Sequence, residues 1–158
     1  TVSPAARLDV APTRYPGFTV AGFADVQVAN EVGLVNLLAL SGDGKLYVGG
    51  AFDTIDGRLR RNLGRINIDG TIDASFRPAA QYLNGGRIVP MADGKVVVVG
   101  AFDLGAGQSA FKVVRFNADG SIDPSYARGG TAFQHGLMIN AVAALPDGRL
   151  VIGGRNLV

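Results

Sequence analysis

The tetrapeptide Gly-Ala-Phe-Asp occurs twice, at Gly50–Asp53 and at Gly100–Asp103, fifty residues apart in a chain of 158. The repetition extends well beyond four letters. "LLALSGDGKLYVGGAFD" from Leu37 aligns with "IVPMADGKVVVVGAFD" from Ile88 and with "AVAALPDGRLVIGG" from Ala141. Each copy has an apolar run, an Asp-Gly pair, a Lys or Arg, a second apolar run and a glycine. The glycines of the Asp-Gly pairs are Gly44, Gly94 and Gly148. A second half follows: "LGRINIDGTIDASF" from Leu63 matches "VVRFNADGSIDPSY" from Val113. A worn copy of that half, "ARLDVAPTRYPGF", starts at Ala6 and keeps Arg7, Leu8 and Phe18 but not the Asp-Gly. A fixed period of this length marks a repeat architecture, in which each unit buries its faces only against its neighbours.

The unit predicts strands. "KVVVVG" is β-branched and continuously apolar, as in a strand covered on both faces, and Asp-Gly favours the positive φ of a tight hairpin. No amphipathic helix is evident. Four short antiparallel strands per unit of about 50 residues correspond to one blade of a β-propeller. The expected fold is therefore all-β, a propeller-type repeat of four-stranded antiparallel blades forming one domain over 1–158. It divides into the back half of a repeat (6–18), two full repeats (37–76 and 88–126) and the front half of another (141–154). About three blades per chain fall short of the four to eight that close a ring, so exposed edges are expected. Identical chains completing the ring, or a longer array, would cover them; two chains would bring six blades.

Gly44, Gly50, Gly94, Gly100, Gly148 and Gly154 are expected to serve structure, with the paired glycines at strand ends allowing close approach between blades. Phe52 and Phe102 are expected to pack between blades, and Phe76 and Tyr126 to close the outer edge.

The pairing of "LPDGRLVIGG" with "VVRFNADGSIDPSY" resembles the bacterial delta-sixty tandem repeat, which is assigned as propeller-like. The likeness spans nearly all of Ala6–Gly154. It departs where the first copy lacks Asp-Gly and where "VVGAF" has one glycine instead of two. It implies a secreted, cell-surface or phage-tail protein, and it supplies no catalytic residues. Kelch repeats are the second resemblance, through the double glycine, but they usually carry a later Trp, and this chain has none. The lack of Trp also argues against WD repeats.

Composition narrows the chemistry. The chain is 47% hydrophobic and 18% charged, with a formal net charge of +2, which fits a globular domain and makes no electrostatic case for nucleic acid. With no cysteine, disulfides, thiolate metal sites and cysteine nucleophiles are excluded. No apolar run approaches the roughly 18 residues of a membrane span, and no signal peptide opens the chain. It begins on Thr1, and is expected to be processed or cut from something longer.

Candidate chemistry is sparse. "NIDGTID" and "NADGSID" resemble calcium loops, but aligning Asp69 or Asp119 with the fifth EF-hand position puts Phe76 or Tyr126 where a bidentate Glu belongs. They read as turns. A looser cation site using Asp69 with Asp73, or Asp119 with Asp123, is the alternative. "GAGQSA" at Gly105–Ala110 matches a dinucleotide fingerprint, which works only with a helix after it; the strand-like "FKVVRF" follows instead. His135 is the single histidine and cannot make a zinc site alone. No cofactor is expected. Arg58, Arg60 and Arg61 crowd the loop after "GAFDTI", whereas the matching loop of the next repeat is almost uncharged. A repeat that keeps its strands and changes a loop can place specificity there, and three arginines suit phosphate or carboxylate groups. Asp53 and Asp56 lie close enough in sequence to neutralise them.

The expected function is a non-enzymatic structural and binding module that presents loops to a surface glycan or protein, as an adhesin or phage-tail fibre tip would. A glycan-active enzyme with paired carboxylates at the propeller axis and a purely architectural connector are the alternatives. The acidic residues fall mostly in turns repeated in every unit, which favours structure over one active centre.

Overall fold

The computed structural model describes residues 26–28, 31–79, 82–105, 108–126, 137–145 and 147–156. Among them the chain is all β, with no helix. The strands are β1 (Val26–Val28), β2 (Glu31–Val32), β3 (Leu34–Leu40), β4 (Leu46–Ala51), β5 (Thr54–Ile55), β6 (Arg58–Leu59), β7 (Leu63–Ile66), β8 (Tyr82–Pro90), β9 (Val96–Gly105), β10 (Gln108–Phe116), β11 (Leu137–Ala144) and β12 (Leu150–Asn156). The worn copy at 6–18 and His135 lie outside the described residues.

The repeats become antiparallel blades of a propeller-type fold. Blade 1 is β3-β4-β7, blade 2 is β8-β9-β10 and blade 3 is β11-β12. The register is the same from blade to blade: Tyr47 faces Arg65 and Gly49 faces Leu63, as Val97 faces Arg115 and Val99 faces Val113. The expected fourth strand is present in blades 1 and 2 as a single bridge, Ile66 to Ile72 and Phe116 to Ile122. It stops there because Asp73 and Asp123 turn the chain: their carboxylates accept the backbone N–H of Ser75 and Ser125, both at 2.9 Å.

The repeated Asp-Gly pairs do not form two-residue hairpins. In the turn from Ser41 to Lys45, Gly44 N–H donates to the Ser41 carbonyl at 3.0 Å, Ser41 N–H donates to the Lys45 carbonyl at 2.8 Å, and the Asp43 carboxylate accepts Lys45 N–H at 3.2 Å. Only the glycine has positive φ, +81° at Gly44, so this is a three-residue loop with a glycine bulge. The same three bonds recur at Asn67–Thr71, Met91–Lys95, Asn117–Ser121 and Leu145–Arg149. The two-residue form occurs once, at Asp56-Gly57, where φ is positive at both residues (48° and 70°) between the paired Ile55 and Arg58.

Alternation along each strand sends residues to opposite faces, and the blades stack through them. Tyr47, Leu63 and Phe76 of blade 1 meet Val96, Val98, Phe102 and Phe116 of blade 2 in one core. Val97, Val99 and Val113 of blade 2 meet Ile139, Val142, Leu150 and Ile152 of blade 3 in another. Phe102 is thus inter-blade packing, as expected. Phe52 packs instead with Val48, Ile55 and Ile66 on the outer face of blade 1. Phe76 does not close an outer edge: it is fully buried between blades, edge-on to Tyr47 and Phe116. Tyr126 likewise packs against the core between blades 2 and 3.

The close approach at Gly50 lies within its own blade rather than between blades. A Cβ there would overlap the Leu34 carbonyl oxygen, because β3 bulges between Val35 and Leu37. The inter-blade contact belongs to Gly49, where a Cβ would lie 3.1 Å from Ile88 Cδ1. Gly100 is buried opposite Lys112, and Gly154 is exposed opposite Ile139.

Candidate functional site

Two kinds of charged cluster emerge, one repeated and one unique. The repeated cluster is an ion-pair centre that sequence reasoning missed as a unit. In blade 1, Asp73 Oδ2 accepts from Lys45 Nζ at 2.9 Å and from Arg65 Nε at 2.8 Å. Its Oδ1 accepts from the Ser75 hydroxyl at 2.5 Å. Arg65 also donates to the Tyr47 hydroxyl at 3.1 Å and to Ser75 Oγ at 3.3 Å, and its guanidinium lies 4.9 Å from the Phe76 ring centroid. Blade 2 repeats the centre: Lys95 and Arg115 hold Asp123 at 2.7 and 2.8 Å, Ser125 donates to it at 2.6 Å, and Arg115 lies 4.4 Å from the Tyr126 ring.

Burial by itself would raise the Asp73 pKa. Hydrogen bonds from Ser75 and Lys45 and the charge of Arg65 outweigh that and hold it well below the usual carboxylate range. For Asp123 the hydrogen bonds from Lys95 and Ser125 lead, with the same result. These carboxylates are already saturated with protein donors. Asp69 and Asp119 are engaged in their own turns, accepting from Thr71 and Ser121 side chains at 2.7 Å, which lowers both pKa values. Among the described residues no group of three or more His, Asp or Glu is placed to hold a metal ion. The signal for the repeated centre was present in the spacing: Lys, Arg and Asp recur together in both full copies.

Blade 3 carries a counterpart of the first cation of the centre. Arg149 occupies the place of Lys45 and Lys95, and pairs at 2.7 Å with Asp147 of its own turn, largely in solvent.

The unique cluster is the arginine hairpin. Between β4 and β7 the chain makes a small excursion, β5-β6, whose first strand pairs with β1 in the sheet β2-β1-β5-β6. Asn62 anchors its return. It sits at φ 62°, its Oδ1 accepts Phe52 N–H at 2.9 Å, and its carbonyl accepts Gly50 N–H at 3.1 Å. Arg60 N–H donates to the Asp53 carbonyl at 2.8 Å. Ile55, fully buried, fastens the hairpin to the blade. Arg58, Leu59 and Arg61 face solvent. Arg60 is partly buried, donates through Nη1 to the Leu59 carbonyl at 2.7 Å, and leaves its buried Nε–H without a partner. Burial, and after it the charges of Arg77 and Arg58, lower its pKa. None of Arg58, Arg60 and Arg61 makes an ion pair among the described residues. The structure therefore brings the three predicted arginines onto one short hairpin and adds Arg77, from the link to blade 2, to their field.

The corresponding connection in blade 2 makes no excursion. β9 and β10 stay paired from Val96–Phe116 out to Gly105–Gln108. Within the "GAGQSA" stretch Gly105 ends β9 and Gln108–Ala110 open β10, so a strand follows where a dinucleotide pyrophosphate would need a helix.

A family model described as a beta-propeller domain of unknown function, DUF5122, matches residues 42–76 and 92–126. These segments contain the two complete ion-pair centres and five of the six Asp-Gly turns, and in them the chain is similar to that propeller repeat. Neither a curated protein nor a solved structure matches the chain.

Proposed function

We propose that this chain is a non-enzymatic binding module, a propeller-type scaffold that offers the β5-β6 hairpin to an anionic surface ligand. A glycan bearing carboxylate or sulfate groups is the ligand class that the arginines suit, because guanidinium forks match planar or tetrahedral oxyanions. The observation that carries the reading is the contrast between blades 1 and 2. They share turns, register and ion-pair centre, yet only blade 1 diverts its second connection into a hairpin carrying three arginines that make no ion pair among the described residues. The delta-sixty resemblance supports placing the module outside the cell, as in an adhesin or phage-tail fibre tip.

The test is an array of neutral, uronate-containing and sulfated glycans, with wild type and the Arg58→Ala, Arg60→Ala and Arg61→Ala variants. Acidic glycans are expected to bind, and each substitution to weaken binding about tenfold, the equivalent of roughly 1.4 kcal/mol for a charge-assisted hydrogen bond. Binding should also fall with salt. Retention by neutral glycans alone, or variants that bind as wild type does, would refute the assignment. So would turnover of a glycan abolished by one carboxylate substitution.

A further inference from the structure

Six Asp-Gly pairs lie along the chain, at Asp43, Asp56, Asp69, Asp93, Asp119 and Asp147. In such a pair the glycine nitrogen can attack the aspartate Cγ. The N–Cγ bond forms, and one carboxyl oxygen leaves as water with its own proton and the amide proton. The product is a five-membered cyclic imide. Water then opens it at either carbonyl and restores aspartate or leaves isoaspartate, in which the main chain runs through Cβ and Cγ. Glycine favours the attack because it has no side chain to hinder the approach.

The first step needs a glycine N–H that is not held elsewhere, and at five pairs it is held. Gly44 N–H donates to the Ser41 carbonyl at 3.0 Å, Gly94 to Met91 at 3.1 Å, and Gly70, Gly120 and Gly148 to Asn67, Asn117 and Leu145 at 2.9 Å. In the same loops the aspartate carboxylate is pinned, accepting the N–H of the residue after the glycine at 2.8 to 3.2 Å. The hydroxyls of Ser41, Thr71 and Ser121 hold Asp43, Asp69 and Asp119 below the ordinary carboxylate pKa, and an ionised carboxyl must be protonated before its oxygen leaves as water. Asp56-Gly57 is built differently. Its two residues are the whole loop between the paired Ile55 and Arg58. Both are exposed. Gly57 N–H donates to no backbone carbonyl among the described residues, and a Cβ on Gly57 would meet nothing within 4 Å. The loop joins strands of two residues each, so few backbone bonds oppose its opening.

We propose that Asp56-Gly57, at the tip of the arginine hairpin, is the site where this protein forms the cyclic imide and isoaspartate, the other five pairs being protected by their loops. The added main-chain methylene lengthens a two-residue turn whose flanking residues, Ile55 and Arg58, face each other directly. That breaks the register of the hairpin and loosens the element that carries Arg58, Arg60 and Arg61. The proposal rests on the hairpin backbone and stands whether or not the hairpin binds a glycan.

Peptide mapping after ageing tests this. The folded chain and the chain in urea are held for weeks at about pH 5, where part of an ordinary carboxyl is protonated. Each Asp-Gly peptide is then read for isoaspartate by electron-transfer fragmentation. Isomerisation leaves the mass unchanged, which separates it from amide hydrolysis. In the folded chain isoaspartate is expected to accumulate at Asp56 about tenfold faster than at Asp43, Asp69, Asp93, Asp119 or Asp147, the factor set by freeing one hydrogen-bonded amide. In urea the six sites should react at similar rates, because they share one dipeptide and no longer differ in structure. Asp56→Glu should remove the signal at that site, since closure would need a six-membered ring, and leave the other five unchanged. A folded chain in which another pair leads, equal rates at all six, or a bias toward Asp56 that persists in urea would each overturn the proposal.

Discussion

Lys95 Nζ lies 2.7 Å from Asp123 Oδ2, 28 residues further along the chain, and Lys45 lies 2.9 Å from Asp73 across the same interval. In both blades the lysine leaves the first turn, the aspartate follows the second, and an arginine on the strand between them meets the same carboxylate oxygen. The pair ties the ends of two hairpins together, so a contact between distant residues recurs as a local feature of the repeat.

Removing the carboxylate should cost far more than removing the lysine. The Arg65 side chain is 6% exposed and Lys45 about a third exposed. Asp73→Asn leaves a buried guanidinium uncompensated, and urea unfolding should show a loss of about 3 kcal/mol. Lys45→Met leaves the Arg65 pair intact and should cost under about 1 kcal/mol. Equal losses would mean that the lysine, and not the arginine, dominates the centre.

The depressed Asp73 pKa sets a direction for acid stability. The folded carboxylate binds its proton less readily than the unfolded one, which titrates near 3.8. The stability it contributes is complete above that value and disappears as pH falls below it. The urea midpoint of wild type should hold from pH 7 to about pH 5 and drop steeply below about pH 4. Asp73→Asn should start lower and drop less over the acid range.

Gly148 and Gly120 occupy the same turn position, with φ of 82° and 90°. A Cβ at Gly148 meets nothing within 4 Å, so Gly148→Ala should cost only the left-handed strain, about 1 kcal/mol. A Cβ at Gly120 would overlap the Arg77 backbone, whose N–H donates to the Asp119 carbonyl at 2.8 Å in the strap from blade 1 to blade 2. Gly120→Ala should therefore cost more than about 2 kcal/mol, and amide exchange at Arg77 and Ala79 should accelerate. Similar losses for the two variants would remove the strap from the account.

Asn62 holds the arginine hairpin by conformation and by hydrogen bond. Asn62→Ala combines left-handed strain with an unpaired Phe52 N–H, about 2 kcal/mol together. Asn62→Gly relieves the strain and keeps the lost bond, so it should fall between Ala and wild type in thermal unfolding. A glycine variant as unstable as the alanine one would show that φ is immaterial there.

Much of this was legible in the one-dimensional pattern. "KVVVVG" is continuously apolar because β9 is buried on both sides, and the fifty-residue period is the step from blade to blade. The arginine cluster was also visible, since Arg58, Arg60 and Arg61 are neighbours in sequence and stay so on one hairpin. Asp73 was harder. As a carboxylate after an Asp-Gly turn it suggested a cation site, and only folding brings Lys45 and Arg65 to it. The short fourth strand was hidden for a related reason: Ile72 and Ile122 look like strand residues, but the capping of Ser75 by Asp73 ends the ladder after one bridge.

The amino-acid order alone settled the strand content, the repeat and its phase, because side-chain periodicity and the special φ of glycine act over a few residues. What sits opposite what was left to the tertiary structure. The same dipeptide, Asp-Gly, makes a bulged three-residue loop at Asp43-Gly44 and a two-residue turn at Asp56-Gly57, according to the strand pairing on either side. Phe52 and Phe102 are identical in the repeat, yet one packs beneath its own hairpin and the other between blades. The difference lies in the excursion between β4 and β7, and burial depends on which surfaces finally meet.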